Sequence, residues 1–208
     1  MSTRLIIARH GNTFGKDDVV RRVGTTDLPL VESGLLQGQR LGIALCEQHW
    51  QPDVIFTSRL QRTQQTAQQA MRAMQIDVPV QPLAIFDEID YGPDENQPEA
   101  EVLARIGEAA LRDWETHAIV PAGWRVDPEQ IIQDWHQFAT TLSQDYAGQT
   151  ILVVTSNGIA RFAPYLTGDF ASFAAQHAIK LATGAYAVFM HQPRASMWDC
   201  LLWNIKPR

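Results

Sequence analysis

Cysteine is nearly missing: the 208 residues include only Cys46 and Cys200. Two cysteines so far apart make neither a disulfide framework nor a metal-binding knuckle. No long run of lysine or arginine occurs, and 17 basic against 23 acidic side chains leave a formal charge of −6. Such a chain is poorly suited to grip phosphate backbones, so no nucleic-acid partner is expected. No apolar run approaches the roughly 18 residues needed to cross a bilayer, and no membrane partner is expected. Near the N-terminus only Leu5 to Ala8 are apolar in a row, too few for the core of a secretion signal. Internal repeats and low-complexity tracts are absent too. What remains is a globular composition, 45% hydrophobic and 19% charged. Length and composition together predict one cytoplasmic domain over 1–208.

Three short apolar runs stand out: Leu5 to Ala8, Val54 to Phe56 and Ile151 to Val154. They are continuous rather than alternating, the pattern of strands buried on both faces of a parallel sheet. Helical spacing fills the intervals. Ser33 to Glu47 carries Leu36, Ile43 and Leu45. Ser58 to Met74 carries Leu60, Ala67, Ala70, Met71 and Met74 on one stripe, with Arg59, Arg62 and Thr66 off it. Ala100 to His117 and Pro128 to Gln144 complete the set, and Pro128 fits a first-turn position. The tail predicts two strands, Tyr186 to Met190 and Trp198 to Trp203. The expected fold is a three-layer α/β/α sandwich with a mostly parallel central sheet. Residues 87–123 carry no strand signal and are expected to form an insertion over one end of that sheet.

Ligands of open α/β sheets collect beyond the carboxyl ends of the strands. The three runs are followed by Arg9-His10-Gly11-Asn12-Thr13, by Thr57-Ser58-Arg59-Leu60-Gln61-Arg62, and by Thr155-Ser156-Asn157-Gly158. All three deliver anion-friendly groups to the same end. Ser58 with Gln61 reads as a capping box, so a helix is expected to begin there. Arg59 and Arg62 then sit in its first turn, where cations are disfavoured by roughly 0.3–1 kcal/mol. Either an anion binds beside free backbone N–H groups, or these arginines pair with surface carboxylates. Gly11 allows a tight exit from the strand beside His10. A neutral imidazole can attack phosphorus when arginines neutralise the oxyanion charge.

The block Arg9-His10-Gly11-Asn12-Thr13 resembles the Arg-His-Gly-x-Thr/Ser signature of the histidine phosphatase superfamily, which includes cofactor-dependent phosphoglycerate mutases. Gly24-Thr25-Thr26-Asp27-Leu28-Pro29-Leu30 is similar to the family's Gly-x-x-Asp-x-Pro-Leu segment. Thr57 to Thr63 with Thr66-Ala67, and Glu88-Ile89-Asp90-Tyr91-Gly92, resemble two further blocks in the family's order. The resemblance implies the phosphoglycerate mutase-like fold and a phosphohistidine mechanism. His10 would be the nucleophile, Arg9 and Arg62 would hold phosphoryl oxygens, and Glu88 would serve as acid and base. Asn157 and Gly158 would contact the phosphoryl group, and Asn12, Lys16 and Thr25 are candidate substrate contacts. No metal and no cofactor is implied, and His49, His117, His136, His177 and His191 show no ligand-like spacing. Glu88 also lies in a run of seven carboxylates between Asp87 and Glu101, which by itself reads as a solvated loop.

The chain departs from the family where a second histidine is expected: Ser156-Asn157-Gly158 stands in place of Ser-His-Gly. An amide still donates an N–H but carries no charge. The exchange would cost roughly 1–3 kcal/mol in the transition state, about 5- to 150-fold in rate. Lys16 stands where mutases carry asparagine, and Asp94-Glu95-Asn96 replaces Trp-Glu-Gly, keeping only the glutamate. The leading expectation is a phosphomonoesterase acting on a small phosphorylated molecule. The alternatives are a weakened relative that binds a phosphorylated ligand and, less favoured, a mutase-type phosphotransferase. Tyr91, Trp114 and Trp124 could line a pocket for an apolar leaving group or simply pack. Oligomeric state is not legible.

Overall fold

Each apolar run becomes a strand sealed from water on both faces. The computed structural model describes residues 1–208. It opens with β1 (Thr3–Arg9), the short β2 (Arg21–Arg22), α1 (Glu32–Glu47), β3 (Val54–Thr57), α2 (Gln61–Met74) and β4 (Val80–Pro82). There follow β5 (Gln97–Pro98), α3 (Glu99–His117), α4 (Pro128–Asp145), β6 (Thr150–Thr155), the single turn α5 (Asn157–Ala160) and α6 (Phe170–Gln176). The chain closes with the hairpin β7 (Tyr186–His191) and β8 (Asp199–Ile205). The main sheet runs β4-β3-β6-β1-β7-β8. Its first four strands are parallel, β7 runs antiparallel to β1, and β8 runs antiparallel to β7. Arg9 lies opposite Thr155, and Thr57 opposite Val154. Three strand ends are therefore nearly level, and their exits meet.

The pleat sends alternate residues to two cores. Ile6, Ala8, Ile55, Leu152 and Val154 pack with Leu41, Leu45, Ala67, Ala70 and Met74 of α1 and α2. Leu5, Ile7, Phe56, Ile151 and Val153 face a larger, aromatic core with Phe86, Trp114, Trp135, Phe138 and Phe162. Phe138 meets Phe56 and Phe86 edge to face at 5.1 and 5.0 Å, the favoured arrangement for aromatic quadrupoles. As expected, α4 begins at Pro128, with the Asp127 carboxylate accepting from the Gln130 N–H at 3.1 Å.

Three local expectations are corrected. Leu36 and Ile43 of α1 are exposed; the helix buries Gly34, Gly38, Leu41, Gly42 and Leu45 instead. A Cβ at Gly42 would sit 2.3 Å from the Ala70 carbonyl oxygen, so α1 and α2 meet backbone to backbone across glycine. Helix α2 begins at Gln61, not Ser58. Ser58 Oγ bonds Thr63 Oγ1 at 2.7 Å, while Asp27 and Asp87, from distant loops, accept from the N–H groups of Gln61 and Arg59. Asp27 thus takes the Gln61 amide that the local capping box was expected to satisfy, while Ser58 Oγ accepts from the Leu60 amide at 3.2 Å. Finally, the acidic run is not a solvated loop: Glu88 and Asp94 are buried. Asp94 pairs with Arg105 and accepts from Trp124 Nε1 at 2.6 Å.

Candidate active site

Strand β1 delivers His10 to the level end of the sheet. Its amide donates to the Thr155 carbonyl at 3.0 Å, and the next amide, Gly11, donates to Thr66 Oγ1 at 3.0 Å. Thr66, read from sequence as off the buried stripe, is fully buried for this purpose. His10 is 6% exposed, and its Nδ1 lies 2.7 Å from the Gly11 carbonyl oxygen. A carbonyl only accepts, so Nδ1 carries the proton and Nε2 keeps the lone pair. Nε2 has no hydrogen-bond partner within the chain. Burial, then Arg62 and Arg9, push the imidazole well below its ordinary value of 6.5, because each opposes a positive ring.

The arginines are aimed by backbone carbonyls. Arg9 Nη1 donates to Leu181 at 2.8 Å, and its Nε is buried without a partner. Arg62 Nη1 and Nη2 donate to the carbonyls of Thr26 and Gly24 at 2.8 and 2.6 Å. Glu95 holds that loop from behind: Oε1 accepts from the amides of Gly24 and Thr26, each at 3.0 Å, and from Thr26 Oγ1 at 2.7 Å. Neither arginine is ion-paired, and burial lowers the pKa of both. Arg59 behaves differently. It precedes α2, is exposed, and pairs with Asp87 at 2.5 Å, so for Arg59 the surface-carboxylate reading is the correct one.

Glu88 faces this group from the other side. Its Oε1 accepts from the Ile89 amide at 3.0 Å and its Oε2 from the Gly158 amide at 3.1 Å. A Cβ at Gly158 would lie 2.2 Å from Glu88 Oε1, so only glycine lets the carboxylate come so close. The expected phosphate contact from Gly158 is corrected accordingly: its N–H is spent on Glu88, and it does not line the cavity. Asn157 does line it. Its Oδ1 accepts from the Leu181 amide at 2.9 Å, which fixes the orientation of the amide and leaves Nδ2 without a partner.

Together these groups line an open cavity of about 760 Å³ that includes Arg9, His10, Arg62, Glu88 and Asn157. Asn12 and Lys16 also line it, whereas Thr25 is exposed elsewhere. Thr25 is therefore corrected as a candidate contact; its segment acts through the carbonyls of Gly24 and Thr26. Trp114 and Trp124 pack against each other at 5.3 Å and do not line the cavity, while Tyr91 does. Sequence reading missed Arg22, Lys180 and above all Arg161, which is 2% exposed. The signal was there: an arginine five or six residues beyond the end of a buried strand, as with Arg62.

Fold and site together define an α/β sandwich protein with a neutral histidine set between arginines at the carboxyl edge of its sheet. The chain belongs to the histidine phosphatase superfamily, branch 1, whose sequence profile matches residues 5–206. It is 28% identical over 169 residues to the 2,3-bisphosphoglycerate-dependent phosphoglycerate mutase of Bifidobacterium longum, covering 79% of this chain and 65% of that one. The chain thus spans just under two thirds of that relative's length. A mutase of the same description from Clavibacter michiganensis is 35% identical over 118 residues, 56% of this chain and 47% of the relative. Among solved structures, mycobacterial glucosyl-3-phosphoglycerate phosphatase superposes with a TM-score of 0.77 at 20% identity, covering 98% of this chain and 99% of that one. The alpha-ribazole phosphatase of Shigella flexneri gives 0.73 at 23%, covering 98% and 96%. These two likenesses establish the fold.

Proposed function

We propose that the protein is a phosphomonoester hydrolase that works through a phosphohistidine on His10. The observation that carries this reading is the state of that ring: buried, neutral, protonated on Nδ1 and unpartnered on Nε2. Nε2 attacks phosphorus while the bond to the leaving oxygen breaks, and Glu88 gives that oxygen a proton. Arg9 and Arg62 take the charge that spreads over the phosphoryl oxygens. Water then attacks the phosphohistidine, Glu88 takes back a proton, and the imidazole leaves. Asn157 is read as standing where the superfamily carries its second histidine, donating through Nδ2 without charge.

The test is hydrolysis of para-nitrophenyl phosphate by wild type and His10→Ala across pH 4–8. Turnover should vanish in the variant, and a phosphoryl group stable to alkali but lost in acid should form only on the wild type. The wild-type rate should persist below pH 6.5, since His10 stays unprotonated there. Stability runs the other way. The folded pKa of His10 lies below its unfolded value, so its contribution is intact above about pH 6.5 and is lost as pH falls below it. Full activity in His10→Ala would overturn the mechanism. A rate that requires an added bisphosphate would point to mutase transfer instead.

A further inference from the structure

Between α6 and β7 the chain runs from 177 to 185 with no helix or strand, so each buried backbone group there needs a partner of its own. The side chains of Ile179 and Leu181 are sunk in the aromatic core. The polar groups of the segment go to side chains from elsewhere. Arg9 Nη1 donates to the Leu181 carbonyl at 2.8 Å, and the Leu181 amide donates to Asn157 Oδ1 at 2.9 Å. One residue on, the Ala182 amide donates to Asn204 Oδ1 at 2.8 Å. Towards the two ends, Trp203 Nε1 donates to the Ala178 carbonyl at 2.7 Å and Gln37 Nε2 to the Thr183 carbonyl at 3.2 Å.

The Leu181 carbonyl and the Ala182 amide are two ends of one peptide group. That group is planar and stiff, and its C=O and N–H point in opposite directions. Arg9 therefore grips one end and Asn204 the other, and the plane cannot turn without lengthening both bonds. Asn204 lies in β8 at φ 57°, a left-handed conformation that asparagine tolerates better than most residues. Successive side chains of a regular strand point to opposite faces, yet Trp203 and Asn204 both reach the 177–185 segment. The left-handed backbone at 204 accounts for the broken alternation. We propose that Asn204 is a positioning residue of the phosphate site, acting on Arg9 through the 181–182 peptide. Asn204 does not line the cavity, and its strand is the edge of the sheet, two strands from β1. Arg9 has no carboxylate partner, and the bond to Leu181 is the one hydrogen bond its guanidinium makes within the chain. Whatever fixes that carbonyl fixes the cation. An acceptor on the Ala182 N–H also polarises the peptide and strengthens its carbonyl as the partner of Arg9.

The inference rests on the hydrolase reading only in taking Arg9 as a phosphoryl ligand, so its test is the binding of inorganic phosphate, not turnover. Isothermal titration compares the wild type with Asn204→Gly and Asn204→Asp. Glycine keeps the left-handed backbone and drops the acceptor, whereas aspartate keeps both. Asn204→Gly should weaken phosphate at least tenfold, and Asn204→Asp should stay within threefold of wild type. Trp203→Phe keeps a ring and loses the N–H that holds the far end of the segment, and it should cost less than threefold. Should Asn204→Gly fail to fold, Asn204→Ser, with its oxygen one bond nearer the backbone, makes the same comparison. Unchanged affinity in Asn204→Gly, or an equal loss in Asn204→Asp or Trp203→Phe, would overturn the relay and leave the hydrolase reading standing. The selective loss in a protein that hydrolyses no phosphomonoester would support the relay and sink that reading. A wild type that binds no phosphate would overturn both.

Discussion

Two strand-to-helix junctions flank the cavity, and they solve the same problem in opposite ways. After β3, the chain holds Arg62 by sending both ends of its guanidinium to the carbonyls of a distant loop, 24–26, which Glu95 fastens in turn. After β6, the partners are local: Gly158 gives its amide to Glu88, and Arg161 reaches back to Asn157 in the same turn. The first junction depends on tertiary contacts that arrive from three places in the chain. The second depends on the absence of a side chain at 158. One positions a cation by reach, the other positions an acid by closeness.

Substitutions should separate the two devices. Arg62→Ala removes a buried fork beside His10, the proposed nucleophile, and kcat/KM for para-nitrophenyl phosphate should fall about a thousandfold. Gly158→Ala drives a methyl group into Glu88, and kcat should fall about a hundredfold while inorganic phosphate still binds. Unchanged kcat in that variant would mean that the closeness of Glu88 is incidental. Asn157→His should raise kcat about tenfold, since a protonated imidazole offers the cavity a charged donor, although it no longer accepts from the Leu181 amide. A loss there would mean the junction is built around the amide. The smallest effect belongs to Arg59→Ala, less than twofold in kcat/KM, although Arg59 and Arg62 are three residues apart on the same junction.

That last contrast shows what could be read from sequence and what could not. His10 and Arg9 were legible because a strand, a turn and two chemical groups are contiguous. The three-strand convergence was legible because continuous apolar runs mean parallel strands, and parallel strands end together. Arg59 and Arg62 looked alike because only Asp87, far along the chain, distinguishes them. Ser58 looked like the cap of Gln61 for the same reason: Asp27 takes that amide from elsewhere in the chain. Thr25 was proposed as a side-chain contact, but the loop contributes carbonyls, which every residue has. Leu36 and Ile43 were read as core because glycine reads as empty, when it is glycine that lets α1 lie against α2. Glu88 was legible only through resemblance, since an acidic run gives no sign of which carboxylate is buried.

Arg9, Arg62 and Arg161 repel one another while no anion is present, and that has a consequence for the chain as a whole. An anion that binds the folded cavity and not the unfolded chain shifts the unfolding equilibrium toward the native state. At a hundred times its Kd the gain is about 2.7 kcal/mol, a large share of the 5–15 kcal/mol that an ordinary domain possesses. Inorganic phosphate, the product of the proposed reaction, would therefore act as a folding ligand, and the protein's lifetime would follow the phosphate level of its surroundings.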